Sequence, residues 1–161
     1  MMQKYKNLYL FLLIGFIVSS ASLYAIAAEK GQGWGIDDEY NQYYDLEEVD
    51  QIKVRVIKIM EITPMEGMET GVGMVVEDIR DKEQYTVHIC PVSYKSMKAI
   101  PFKKGEKLKL RGSFTVINDQ DVIMAAKIKG KSKTLKVRLT SDGKPFWTMD
   151  PAELMKELSD S

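Results

Sequence analysis

His88 and Cys90 stand two positions apart in Gln84-Tyr-Thr-Val-His-Ile-Cys-Pro91, and they are the only histidine and the only cysteine in the chain. On a β-strand, residues two apart point to the same side. An imidazole and a thiol on one side, with the thioethers of Met65 and Met68 from a nearby loop, make a donor set suited to a soft metal such as Cu(I). The competing reading places Cys90 inert in a core whose gaps are filled by methionine. A thiolate–imidazole pair would also serve nucleophilic chemistry, but no third group that would orient the histidine is identifiable. No Ser/His/Asp order, phosphate loop, zinc spacing or nucleotide fingerprint is present. The residues therefore point to a protein that is not an enzyme and that carries no cofactor.

The second chemistry-bearing pattern is basic. Lys107, Lys109 and Arg111 alternate with Leu108 and Leu110, and Lys136 and Arg138 alternate with Leu135, Val137 and Leu139. Lys103 and Lys104 precede the first run, and Lys127, Lys129, Lys131 and Lys133 lie between the two. If these runs are adjacent strands, their cations gather on one face. Such a face suits another envelope protein or an anionic surface. Single-stranded nucleic acid would also need aromatic stacking platforms. Only Phe114, Tyr85 and Tyr94 are candidates, so nucleic acid is not the expected partner.

The elements that position these residues follow from period-two alternation. Strands are predicted over Ile52–Ile62, Val72–Arg80, Gln84–Cys90, Lys107–Val116, Asp121–Lys129 and Thr134–Thr140. In the first, the apolar set shifts phase at Ile57, which predicts a bulge. Gly112, inside the fourth, predicts a bend. Val87 and Ile89 are expected inward, with His88 and Cys90 outward or against a cap. Ser93–Ala99 makes a helical turn between the third and fourth strands. Asp150-Pro151-Ala152-Glu153 combines a capping acid, Pro at the first helical position and Glu three after the cap, so a short helix starts there. The fold class is all-β with minor helices: a small OB-like barrel of five or six strands with a helix between the third and fourth.

Outside that barrel the chain changes character. Lys4 and Lys6, the apolar run Leu8–Val18 and Ala25-Ile26-Ala27 form the pattern of a secretory signal peptide cleaved after Ala27. The same run, left uncleaved, is just long enough to anchor the chain in a bilayer. The expected compartment is periplasmic, with membrane contact only through an uncleaved signal segment. Residues 28–50 read as an acidic, aromatic linker: Glu29–Asp50 holds eight acids and one lysine. That linker is expected to be extended, with aromatic docking onto the barrel as an alternative; Trp34 is expected to be mobile or partner-facing, and the acids are candidates to fold back on the basic face. Residues 51–148 form the barrel domain and 149–161 the C-terminal helix. With one thiol, an exported chain has no internal disulfide to rely on, so the sheet must supply the stability. Trp147, after Pro145, is expected to plug one end of the barrel.

Several of these segments resemble a known family. Val87-His88-Ile89-Cys90-Pro91, the turn Lys103-Lys104-Gly105-Glu106, the strand Leu108-Lys109-Leu110-Arg111-Gly112-Ser113, the strand end Ala125-Ala126-Lys127-Ile128 and Asp142-Gly143-Lys144-Pro145-Phe146-Trp147 resemble the exported domain of MamS/MamX-type magnetosome proteins. The resemblance covers about Ile52 to Trp147 and implies a small exported OB-like barrel. Family members commonly carry Gly before the Pro where this chain has Cys90. The Cys-x-x-Cys-His haem attachment found in some members is absent here.

Overall fold

The computed structural model describes residues 29–159. The segment expected to be a signal peptide, with Ala25-Ile26-Ala27, lies outside them. Among the described residues no helix is long and apolar enough to cross a membrane.

Six strands form one sheet: β1 (Val49–Ile62), β2 (Gly71–Asp78), β3 (Gln84–Pro91), β4 (Lys107–Ile117), β5 (Gln120–Lys129) and β6 (Thr134–Lys136). Their order is β3-β2-β1-β4-β5-β6, with antiparallel neighbours, and a further parallel pairing of β3 with β5 curls the sheet into a ring. β5 divides its pairing along its length. Its first half meets β3 through Thr86↔Val122, Val87↔Ile123 and His88↔Met124. Its second half meets β6 through Lys127↔Lys136 and Lys129↔Thr134. Alternation fills the ring: Ile52 and Val54 from β1, Val87 and Ile89 from β3, Leu108 and Leu110 from β4, and Ile123 and Ile128 from β5 are buried together.

Local irregularities fall where side-chain phase demands them. The β1–β2 register shifts between Val56 and Lys58, which leaves Ile57 as the extra residue. The β4–β5 register shifts between Arg111 and Gly112. A Cβ at Gly112 would collide with the Met124 carbonyl oxygen, so only glycine admits that close approach. Asn118 and Asp119 both take positive φ, 51° and 59°, in the two-residue turn from β4 to β5. The connection from β3 to β4 carries only a 3₁₀ turn at Met97–Ala99. The last strand is shorter than the alternation through Thr140 predicts. Val137 and Arg138 both donate their backbone N–H to the Ala126 carbonyl, which breaks the ladder, and Arg138 then bridges to Pro145. The closing helix, Pro151–Ser159, begins as expected: Asp150 Oδ1 accepts from the Ala152 and Glu153 amides.

The acidic leader is not a free linker. Trp34 and Tyr40 are buried to 1% and 2% exposure, so aromatic docking onto the barrel holds, while the mobile or partner-facing Trp34 does not. They pack with Met68, Ile117, Val122 and Met124 as a second core outside the ring. A short helix, Glu39–Gln42, carries Tyr40 into place. Trp34 Nε1 donates to the Glu69 carbonyl at 2.8 Å, and Trp147 Nε1 donates to the Trp34 carbonyl at 2.7 Å. Trp147 packs against both cores, edge-on to Trp34 at 5.6 Å. The buried Glu69 carboxylate accepts from the Gly31 amide and from both the amide and hydroxyl of Ser93, tying leader, loop and post-β3 segment together. The apolar burial of two large rings thus outweighs the ordering of an acid-rich segment.

Trp34→Ala is expected to cost about 3–5 kcal/mol, the usual penalty for truncating a fully buried Trp. Urea unfolding checks it; a loss under about 1 kcal/mol contradicts the docked leader.

Candidate functional site

Two places bring together the residues singled out by sequence: the region around His88 and Cys90, and the outer face of β1, β4, β5 and β6.

At the first, a bulge intervenes. The β2–β3 register pairs Cys90 with Val72 and His88 with Gly73, so Ile89 is the additional residue and the two-residue period is broken. Cys90 then enters the main core, as the inert-thiol reading has it and not outward or against a cap, with its Sγ 3.8 Å from the Lys95 carbonyl. Burial pushes its thiol up to about 12. His88 stacks on Tyr40 with ring centroids 5.9 Å apart, and its Nδ1 lies 3.2 Å from the Tyr40 hydroxyl. Burial lowers His88 to about 4, so it is neutral at pH 7. Met68 is buried against Trp34 and Tyr40, and Met65 packs at the edge of the same cluster. All four predicted soft donors therefore have packing roles. Among the described residues no group of three His, Cys, Asp or Glu side chains is placed to hold a metal.

At the second, strand register lines up cations. Lys53 of β1 faces Lys109 of β4, which faces Lys129 of β5. One row along, Gln51 faces Arg111, Arg111 faces Lys127, and Lys127 faces Lys136 of β6. Arg55 faces Lys107. Like charges directly opposite one another destabilise a sheet. The ion pairs among the described residues are Arg80–Asp78, Lys82–Glu77 and Lys144–Glu153, and none involves this face. The leader's acids do not fold back onto it: Glu48 instead accepts from the Phe114 amide through its carbonyl, at the opposite end of β4. Lys109, Arg111, Lys127 and Lys129, with Gln51 and Thr140, line a cleft of about 350 Å³. Arg111 Nε is enclosed and has no hydrogen-bond partner among the described residues.

Arg138 departs from the predicted face. Its side chain is 2% exposed. The guanidinium carbon lies 5.0 Å from the ring centres of both Tyr44 and Trp147, and Nη1 donates to the Gly143 carbonyl at 3.1 Å. The double contact to the Ala126 carbonyl ends the β6 alternation just before Arg138, and aromatic faces take the place of a carboxylate. Lys107, Lys109, Arg111 and Lys136 do lie on the outer face. Lys53, Gln51 and Thr140 join them. The alternation of Lys53 with Ile52 and Val54 marked it as outward, but only the β1–β4 pairing brings it beside Lys109.

Residues 48–135, from the start of β1 through β5 into β6, match the model of the MamS/MamX magnetosome protein family. The chain belongs to that family. No curated protein matches the sequence. The MamS/MamX-type domain thus contains the whole ring, most of the basic face and the Met68, Ile117, Val122 and Met124 side of the second core, while Trp34, Tyr40, Arg138 and Trp147 lie outside the matched span.

Because the unfolded imidazole titrates near 6.5 and the folded one near 4, the unfolded state binds the extra proton between those values. Stability from His88 is then complete above pH 6.5 and is lost as pH falls toward 4, by about 3 kcal/mol. Urea unfolding at pH 7 and pH 4.5 reads this, and His88→Asn should flatten that part of the pH dependence.

Proposed function

We propose that this MamS/MamX-type chain is an exported, non-enzymatic OB-like barrel that binds an anionic partner or surface at the periplasmic side of the membrane through the cation rows of β1, β4, β5 and β6. The observation that carries the reading is the direct opposition of Lys53, Lys109 and Lys129, and of Arg111, Lys127 and Lys136, with no carboxylate paired to them among the described residues. A fold that holds such rows gives up stability that an anionic partner restores. A non-catalytic role is supported by the state of the two groups best suited to catalysis. Cys90 is buried with its thiol pushed far above neutral pH, and His88 is buried beside Tyr40. Export rests on the leader pattern of Lys4, Lys6, Leu8–Val18 and Ala25-Ile26-Ala27.

Retention of the full chain, held in nonionic detergent, on a sulfated-dextran matrix tests the binding claim. The expected result is retention that weakens steeply with salt, and elution of Lys109→Glu/Lys127→Glu at clearly lower salt. Identical elution of the variant and the parent chain contradicts the assignment of this face.

A further inference from the structure

The cationic cleft does not stand alone. A second cleft of about 260 Å³ adjoins it, sharing Lys109 and Lys129 as walls. Its floor is different in kind: half-buried Ile79, the edge of buried Leu108, Gly130 and the aliphatic stems of the flanking lysines. Among the described residues no acid and no aromatic residue lines either cleft, although Glu106 Oε1 and the Phe102 ring lie against Gly130. The absence of a ring leaves a nucleobase without a stacking surface, and an acidic peptide would leave the apolar floor unused. A phosphate group covalently joined to an aliphatic body matches both halves. Its oxygens meet the guanidinium of Arg111, together with Lys109 and Lys127. Its uncharged carbons lie along Ile79 and Leu108, and the shared lysines contact both parts through their stems and ammonium groups.

We infer that the paired clefts bind the phosphate headgroup and adjoining glycerol–acyl carbons of an anionic phospholipid. The inference rests on the proposed anion-binding reading of this face and adds to it the class of ligand. The orientation follows from the strands: the cleft lies on the ring's outer surface, where a lipid headgroup reaches it without opening the fold.

The test uses the full chain in nonionic detergent and three soluble probes: dihexanoylphosphatidic acid, dihexanoylphosphatidylcholine and inorganic phosphate. Titrations are followed by amide NMR shifts in β4 and β5. Phosphatidic acid and phosphate carry similar headgroup charge, so their affinity ratio reads the apolar cleft. Phosphatidic acid is expected to bind about tenfold tighter than phosphate, the gain from burying roughly two aliphatic carbons, and tighter still than phosphatidylcholine. Ile79→Asn should erase the margin over phosphate while leaving retention on sulfated dextran unchanged. Arg111→Gln should weaken both phosphatidic acid and phosphate. Equal affinity for phosphatidic acid and phosphate overturns the lipid assignment while the anion-binding reading stands. Competition by poly-L-glutamate that exceeds that of phosphatidic acid overturns it in favour of an acidic protein partner. Failure of every anion to bind removes both readings together.

Discussion

The parallel contact between β3 and β5 is the constraint on which the rest of this structure depends. It spans only Thr86–His88 and Val122–Met124, yet it turns a strip of strands into a ring. Once the ring is closed, parity along each strand is fixed. Leu108, Leu110, Ile128 and Val54 must fill the inside, and the lysines and arginines that alternate with them have nowhere to go but outward. β5 gives up its β3 pairing beyond Met124 and takes up β6 instead, which extends the outer face by one more strand and adds Lys136 to it. The charged rows are therefore a direct consequence of how the core closes.

The opposite flank is closed by different means. The leader contributes two buried rings and a set of hydrogen bonds centred on the Glu69 carboxylate, and Trp147 covers them from the far end of the chain. A buried guanidinium between Tyr44 and Trp147 completes this side without any carboxylate. The aromatic flank is thus the occupied side of the ring, and the cationic flank is the one left facing solvent. The family span covers the ring and most of the charged rows, whereas the aromatic flank is built by segments on either side of that span.

What was legible in the sequence was what neighbouring residues decide. The phase shift at Ile57, the bend at Gly112 and the cap at Asp150 each follow from a few adjacent side chains, and each is present. The alternation of β4 and β5 likewise put Lys109, Arg111, Lys127 and Lys129 outside. What was not legible depends on partners distant in the chain. Trp34 is held by Trp147, 113 positions away, and nothing local distinguishes it from a loose aromatic in an acidic segment. Cys90 entered the core because a bulge inserted Ile89, in a stretch apolar enough on both sides that period alone does not locate the slip. Arg138 looked like one more outward cation until the double contact to Ala126 ended the ladder beside it. The cation rows themselves required register across four strands, which alternation within one strand does not give.

These opposed cations are held together against their own repulsion. Lys109 sits at the centre of the Lys53–Lys109–Lys129 row, so its neutralisation isolates that repulsion. The most direct measurement is the unfolding free energy of Lys109→Gln against the parent chain at low and at high salt. The variant is expected to be more stable by about 0.2–1 kcal/mol at low salt, with the difference vanishing near 1 M salt, where screening reaches about 3 Å. A variant that is less stable than the parent, or equally stable at every salt concentration, contradicts it.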